Sequence, residues 1–136
     1  MTTQHCLRFP PTRAGFDAAN QELAALLDAR PITDDSRHDI QLIFDEVVIN
    51  IMRYGGAHSD VNVRIAFGDG EVTLAFEDDG SPFDPCVHPE PPHPTCLEEA
   101  PTGGRGIMLV RRLSSRMEYQ LTPAKRNLLT VSVPLR

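Results

Sequence analysis

Two polar side chains interrupt an apolar helical run near the middle of the chain, in the stretch DEVVINIMRYGG. Glu46 and Asn50 lie one helical turn apart, and Arg53 extends the same side; these three residues are called the polar stripe below. Polar groups on an apolar face need partners, because burying them unpaired costs free energy. Mg²⁺ with phosphates could supply partners: the amide oxygen to the metal, the carboxylate to a water or hydroxyl, the guanidinium to a neighbouring charge. An internal hydrogen-bonded stripe, or an ordinary solvent-facing side, would explain the same pattern.

A second candidate site lies in FEDDGSPFDP, where a predicted strand passes into a turn. Asp78 at the strand end could accept a hydrogen bond from an exocyclic amine such as adenine N6. Gly80 would let the backbone approach a planar ring closely. A plain Asp-Asp-Gly turn is the ordinary alternative.

A third candidate site is TGGRGIMLV, where Gly103, Gly104, Arg105 and Gly106 lead into a predicted helix. The start of a helix offers free N–H groups and a positive dipole end to phosphates. Arg105 could also pair with a phosphate oxygen. Glycine clusters occur at helix ends without any ligand as well, so this motif alone is not specific.

The elements that must position these groups follow from the hydrophobic periodicity. It predicts strands at 5–9, 61–67, 71–76, 117–121 and 128–135, and helices at 14–29, 33–54 and 105–116. This order predicts an α/β sandwich in one domain, residues 1–136, with a mixed, mostly antiparallel sheet and helices on one face.

A proline-rich segment separates the first hairpin from the last helix. Residues 82–101 hold seven prolines, a density that excludes regular helix or strand. A long loop in a small domain is typical of a lid or of disorder. The segment also contains Cys86, His88, His93 and Cys96, which are zinc-binding residue types. Its proline-rich frame favours exposed loop residues over a formed zinc site.

Composition excludes several classes of function. The net charge of −6 disfavours general nucleic-acid binding. No apolar run reaches the ~20 residues that span a membrane, and the N-terminus has no secretory pattern. Three cysteines favour a reducing cytoplasm over a disulfide framework. Residues 105–136 hold 7 basic residues against 1 acidic one, which could mean a polyanion-binding end or a solvated basic face balancing an acidic body.

Taken together, the order of the motifs resembles the GHKL ATP-binding fold, the Bergerat-type fold shared by gyrase-type ATPases and histidine kinases. DDGSPFDP and GGRGIMLVRRL are similar to sequences of the bacterial anti-sigma serine kinases of the RsbW and SpoIIAB type. The resemblance covers nearly the whole chain and implies that it binds ATP with Mg²⁺.

The resemblance also implies a role for each motif residue. Asn50 would bind Mg²⁺, with Arg53 nearby, and Glu46 would be the catalytic base. Asp78 would bind adenine, with Gly80 beside the ring, and residues 86–101 would form the ATP lid. The phosphates would be held by Gly103, Gly104, Arg105 and Gly106. Two positions depart from the family pattern. Met108 stands where many relatives have glycine, and the threonine that supports adenine near the last strand has no clear counterpart, since Thr130 is out of register.

The implied activity is phosphorylation of a serine or threonine on a STAS-domain antagonist, in a partner-switching circuit. The chain would sequester a sigma factor or another regulatory target in the cytoplasm, and whether it forms a homodimer stays open. The alternative is a non-catalytic module that binds a partner in a nucleotide-dependent way. A histidine-kinase fragment is disfavoured, because no dimerisation helix with a phosphoacceptor histidine precedes the domain.

Overall fold

The computed structural model describes residues 3–54, 56–57, 59–86 and 102–136. Within them, five strands and three helices follow the predicted order. They are β1 Thr3–Phe9, α1 Arg13–Asp28, α2 Asp34–Tyr54, β2 Val61–Phe67, β3 Glu71–Asp78, α3 Thr102–Leu113, β4 Arg116–Leu121 and β5 Asn127–Pro134. In this described part, no helix combines the length and the apolar character needed to cross a bilayer.

The strands form one sheet in the order β1-β2-β3-β5-β4. Each of the four neighbouring pairs is antiparallel, so the parallel component allowed by the predicted mixed sheet does not occur among the described strands. The β2–β3 and β4–β5 hairpins require antiparallel pairing. The crossover through α3 then brings β5, rather than β4, beside β3, and the register sets Asp78 opposite Asn127.

One face of the sheet carries the core, because buried side chains alternate along the strands. Val63 and Ile65 of β2 are buried, whereas Arg64 between them is exposed. Phe44 of α2 lies at the centre of the core, with its ring stacked on Phe16 of α1. All three helices contribute to this one hydrophobic cluster. The predicted sandwich with helices on one face is confirmed.

Two contacts fix the start of α2. The Thr33 hydroxyl oxygen accepts a hydrogen bond from the Ser36 backbone N–H at 3.1 Å, as an N-cap does. The Arg136 guanidinium donates to both carboxylate oxygens of buried Asp39, at 2.8 and 3.2 Å. Because Arg136 follows β5, these contacts hold α2 to the sheet at the end opposite the polar stripe.

The third helix lies three residues earlier in the chain than predicted. The sequence predicted a helix over 105–116, and α3 spans Thr102–Leu113, so Gly103 and Gly104 fall in its first turn. Helix propensity disfavours glycine by about 1 kcal/mol per residue in a helix interior, which is why the prediction began after the glycines. Contacts between α3 and α2 offset that preference. As in any α-helix, the first-turn N–H groups have no intrahelical partners.

Basic residues near the C-terminus form ion pairs within the fold. Arg126 pairs with Glu77 at 3.2 Å, and Arg136 pairs with Asp39 at 2.8 Å. These pairs balance the acidic body of the domain locally. They favour the interpretation of the basic end as part of a charge-balanced fold over a polyanion site.

Candidate functional site

An open cavity lies between α2, α3 and the adjoining ends of β3 and β5. Predicted site residues from distant parts of the sequence meet in it, namely Asn50 and Asp78. The complete lining is Val47, Asn50, Ile51, Phe76, Asp78, Ser81, Phe83, Pro85, Ile107, Tyr119, Asn127 and Leu129. Apolar walls with a few polar groups suit a flat aromatic ring.

Asp78 is the last residue of β3 and is buried. Its Oδ2 accepts hydrogen bonds from the Gly80 N–H at 2.9 Å and from Asn127 Nδ2 at 3.3 Å. Its Oδ1 has no hydrogen-bond partner among the described residues and can accept one from a ligand. Burial raises the pKa of Asp78, and the bonds from Gly80 and Asn127 act in the opposite direction.

Asn127 is a site residue that the sequence analysis missed. It is buried, and Nδ2 also donates to the carbonyl oxygens of Gly80 and Ser81, at 3.2 and 3.0 Å. Its Oδ1 accepts from the Phe83 N–H at 3.3 Å and from the Tyr119 hydroxyl. The sequence suggested a turn at this residue, because asparagine favours turns. Strand β3 extends two residues further than predicted, to Asp78, and its pairing with β5 sets Asn127 opposite that residue. Only this pairing would have revealed the position of Asn127.

Thr130 is not among the residues that line the cavity. The register pairs it with Ala75, three positions back along β3 from Asp78. The structure therefore agrees with the prediction that Thr130 is out of register for this role. Met108 lies half-buried on α3.

Gly80 is buried, and both its N–H and its carbonyl oxygen bond to the side chains behind the cavity. Neither bond requires a positive φ, since the described glycines with positive φ are Gly56 and Gly70. Gly80 thus supports Asp78 through its backbone. Its predicted contact with the ring of a nucleotide stays a prediction.

The polar stripe lies on the last turns of α2. Asn50 lines the cavity, whereas Glu46 and Arg53 are not among its lining residues. Glu46 and Asn50 are half-buried and Arg53 is exposed. Neither the Glu46 nor the Asn50 side chain hydrogen-bonds to another described residue, so an internal hydrogen-bonded stripe does not explain them within the described part of the chain. Burial, and then the neighbouring charge of Asp45, raises the pKa of Glu46, whereas the Arg53 charge lowers it.

The adjacent carboxylate has a different environment. Asp45 Oδ1 accepts a hydrogen bond from Asn20 Nδ2 at 2.6 Å and so joins α2 to α1. Burial raises the pKa of Asp45, and the Asn20 bond lowers it. Of these two consecutive acidic residues, Asp45 connects two helices through its hydrogen bond to Asn20. The Glu46 carboxylate has no hydrogen-bond partner among the described residues.

Glu46 lies against the beginning of α3. A Cβ added at Gly106 would be 2.3 Å from Glu46 Oε2, far inside van der Waals contact. Gly106 is therefore needed for the close approach of Glu46 to the helix whose first turn contains Gly103, Gly104 and Arg105. The predicted base and the predicted phosphate-binding turn are neighbours. The contacts of these four residues with phosphate stay a prediction.

The start of the predicted lid is attached to α3. Arg111 Nη2 donates to the carbonyl oxygens of Pro85 and Cys86, at 2.7 and 2.8 Å. Burial raises the pKa of the Cys86 thiol, so it stays protonated at neutral pH. The rest of the predicted lid, with His88, His93 and Cys96, lies outside the described residues. In the part of the chain that is described, no three histidine, cysteine or acidic side chains group to hold a metal.

Comparison with known proteins gives concordant results. The model of the family described as histidine kinase-like ATPase domain matches residues 9–133. The serine/threonine-protein kinase BtrW of Bordetella bronchiseptica is 29% identical over 87 residues, 62% of this chain. The match covers 61% of BtrW, less than two thirds of its length.

Two solved structures show the same fold. One contains the RsbU and RsbW domains of Rv1364c from Mycobacterium tuberculosis, with a TM-score of 0.70 and 17% identity over 98% of this chain and 32% of that one. The other is the SiaB–SiaC complex from Pseudomonas aeruginosa, with a TM-score of 0.61 and 18% identity over 95% of this chain and 88% of that one.

Proposed function

Because the chain belongs to the histidine kinase-like ATPase family, we propose that its cavity binds Mg·ATP and that it transfers the γ-phosphoryl group to a serine or threonine of a partner protein. The observation that carries this proposal is the meeting of Asn50 and Asp78 in one cavity. Glu46 lies one turn from Asn50 and against α3.

The side chains present suit both parts of the cofactor. Asp78 Oδ1 can accept a hydrogen bond from the adenine amino group, and the cavity walls are apolar enough to hold the ring. Asn50 has an amide without a described partner, and amide oxygens are good Mg²⁺ ligands. When bound, Mg·ATP supplies the phosphoryl group and neutralises charge that develops on it.

The chain's own residues position the metal and the phosphates and deprotonate the acceptor hydroxyl. Asn50 holds the metal. The free N–H groups in the first turn of α3, at Gly103 and Gly104, bind phosphate oxygens, and Arg105 adds its charge. Gly106, one residue further, leaves room for Glu46 beside them. Glu46 takes the proton from the acceptor hydroxyl of the partner.

Arg53 supports the predicted base by charge. Its guanidinium lowers the pKa of Glu46, against the effects of burial and of Asp45. A base must be ionised before it can accept a proton, so Arg53 increases the fraction of Glu46 that is competent near neutral pH. Its assignment to the nucleotide site rests on this proximity.

We further propose that the phosphate acceptor is a STAS-domain antagonist and that the chain sequesters a sigma factor or another regulatory target in the cytoplasm. The likeness to anti-sigma kinases supports this, as does the similarity to BtrW, which is named a serine/threonine kinase. SiaB, which has the same fold, is found in a complex with SiaC.

The test is transfer of label from γ-labelled ATP, with Mg²⁺, to STAS-domain proteins encoded near the gene for this chain. We expect label on a serine or threonine of one of them. A chain that binds Mg·ATP in a parallel titration yet labels none of them is a nucleotide-dependent binding module and not a kinase. Asn20→Ala, which changes the α1–α2 contact and not the cavity, is the matched control.

A further inference from the structure

A buried polar network lies behind Asp78, and nothing in the proposed reaction uses it directly. We infer that Asn127, locked by Tyr119, is a positioning residue that makes Asp78 select a purine with a 6-amino group over one that lacks it. This inference deepens the proposed function and rests on it. It gives Asn127 and Tyr119 a role in choosing the nucleotide.

The orientation of the Asn127 amide is fixed by its surroundings. Nδ2 faces three acceptors: Asp78 Oδ2 and the carbonyl oxygens of Gly80 and Ser81. Oδ1 faces two donors, the Phe83 N–H and the Tyr119 hydroxyl. A flipped amide would set oxygen against oxygen at Asp78, Gly80 and Ser81, and N–H against N–H at Phe83; only the Tyr119 hydroxyl, which can also accept, would tolerate the flip. Only one orientation is therefore compatible with this site.

Tyr119 provides the donor that completes the network. It lies on β4, opposite Leu129 of β5, and its ring lines the cavity. Burial raises the pKa of the Tyr119 hydroxyl, so the group keeps its proton and donates to Asn127 Oδ1. Tyr119→Phe would remove this donor and leave the ring in the cavity wall.

As a result, the two carboxylate oxygens of Asp78 have different roles. Oδ2 is held by the Gly80 N–H and by Asn127 Nδ2, which fixes the plane of the carboxylate. Oδ1 is the oxygen left to meet a ligand, and an ionised carboxylate can only accept. Facing the 6-position of a purine, such an oxygen binds an amino group and repels a carbonyl.

The same network holds the chain just before the predicted lid. Asn127 binds the carbonyl oxygens of Gly80 and Ser81 and the N–H of Phe83. Loss of Asn127 would therefore loosen the Asp78 carboxylate and the segment that follows β3 together. The predicted result is a loss of discrimination between bases in addition to any general loss of affinity.

The experiment is a comparison of two ligands across four proteins. Dissociation constants are measured with Mg²⁺ for ATP and for purine riboside triphosphate, which lacks only the 6-amino group. The proteins are wild type, Asn127→Ala, Tyr119→Phe and Ser132→Ala. Ser132 is a buried polar residue of the same strand that contacts Thr73, away from the cavity, so its substitution controls for damage to β5.

We expect wild type and Ser132→Ala to prefer ATP by about 10- to 100-fold, the worth of a hydrogen bond to a charged group. In Asn127→Ala the preference should fall at least about fivefold, and in Tyr119→Phe at least about twofold. Equal weakening of both ligands, with the ratio unchanged, would show that Asn127 has only a structural role and would overturn the inference. If Asn127→Ala does not fold, the ratio in Tyr119→Phe decides by the same criterion.

Failure of the proposed function gives a different result. A wild-type protein that binds neither nucleotide refutes nucleotide binding and this inference with it. A wild-type protein that binds both equally well retains nucleotide binding but refutes base selection by Asp78 and its network.

Discussion

At one end of the cavity, Asp78 and Asn127 are buried and hydrogen-bonded to each other. On α2, Glu46 and Asn50 are half-buried, and neither side chain hydrogen-bonds to a described residue. The group on β3 and β5, called the base end after its proposed ligand, is thus held in place by the protein's own hydrogen bonds. The group on α2 and α3, called the phosphate end after its proposed ligand, has polar side chains without a hydrogen-bond partner among the described residues.

The proposed binding of Mg·ATP would account for this difference, because the two halves of a nucleotide differ in their chemistry. A base is neutral and flat with a fixed set of donors and acceptors, so fixed protein groups can match it, and preorganisation lowers the cost of binding. A metal triphosphate brings several charges, and a side chain already satisfied inside the protein could not also bind them. Four predictions test this contrast, from the largest expected effect to the smallest.

Removal of the proposed catalytic base, Glu46, should slow phosphoryl transfer and leave nucleotide binding nearly unchanged. Glu46→Gln keeps the shape of the side chain but cannot accept a proton, so transfer to the partner should slow by at least ~10²-fold. Affinity for Mg·ATP should stay within a few-fold. Single-turnover phosphorylation beside a nucleotide titration measures both quantities.

Asp45→Asn is the matched control, because Asp45 is the neighbouring carboxylate and is bound to Asn20. Transfer by Asp45→Asn should remain close to wild type. Near-normal transfer by Glu46→Gln would remove Glu46 from the role of base and leave the phosphate end without a catalytic group.

The base end should change its preference rather than lose binding. In Asp78→Asn, the amide oxygen can keep the bonds from Gly80 and Asn127, which turns the new N–H₂ group towards the ligand. The variant should therefore favour inosine triphosphate (ITP), which has a 6-carbonyl group. The free-energy preference for ATP over ITP should fall by about 1–3 kcal/mol. Competition titrations give this preference, and an unchanged value would mean that Asp78 does not read the base.

The metal dependence of binding should depend on Asn50. Asn50→Ala removes a metal ligand, so its affinity for Mg·ATP should fall at least about tenfold, or 1.4 kcal/mol. Its affinity for ATP in the presence of EDTA should match that of wild type. Calorimetry with and without Mg²⁺ measures both affinities. A wild-type affinity that is the same with and without Mg²⁺ would contradict the assignment of Asn50 as a metal ligand.

The smallest effect concerns the stability of the base end. Burial raises the pKa of folded Asp78 above its unfolded value, so between these two values the folded state binds more protons than the unfolded state. Wild-type stability should therefore fall as pH rises through that window and then level off. Asp78→Asn lacks this term, so its stability relative to wild type should be greatest near neutral pH and should shrink as the pH is lowered.

Denaturant unfolding of the two proteins from acidic to neutral pH measures this difference. A relative stability that grows as the pH falls would show that Asp78 is stabilised in its charged form by its partners. In that case the Gly80 and Asn127 bonds would outweigh burial.

The phosphate end was more predictable from sequence than the base end. Glu46 and Asn50 are neighbours on one helix, so their spacing alone places them together, and both boundaries of α2 carry clear signals. Asn127 lies 49 residues from Asp78 and meets it only through the β3–β5 register. Pairing between distant strands depends on the whole sheet and not on a local pattern, so a turn-forming asparagine gave no sign of this role.

The same reasoning applies to α3. Local propensity placed its start after the glycines, whereas the observed start at Thr102 depends on its packing against α2. The contact of Gly106 with Glu46 also joins two elements that are far apart in the chain. The sequence predicted Gly106 as a phosphate-binding residue, which stays a prediction, and did not predict its position against the Glu46 carboxylate.

That contact has a consequence for how the sequence can vary. Every single-base change of a glycine codon that yields another amino acid adds a Cβ, and any Cβ at position 106 meets the Glu46 carboxylate. The atom that it meets is the end of a flexible side chain, which can turn aside without moving the backbone. A substitution at position 106 should therefore displace the Glu46 carboxylate and leave the fold intact. Selection on position 106 would then act through the carboxylate of a residue 60 positions earlier in the chain.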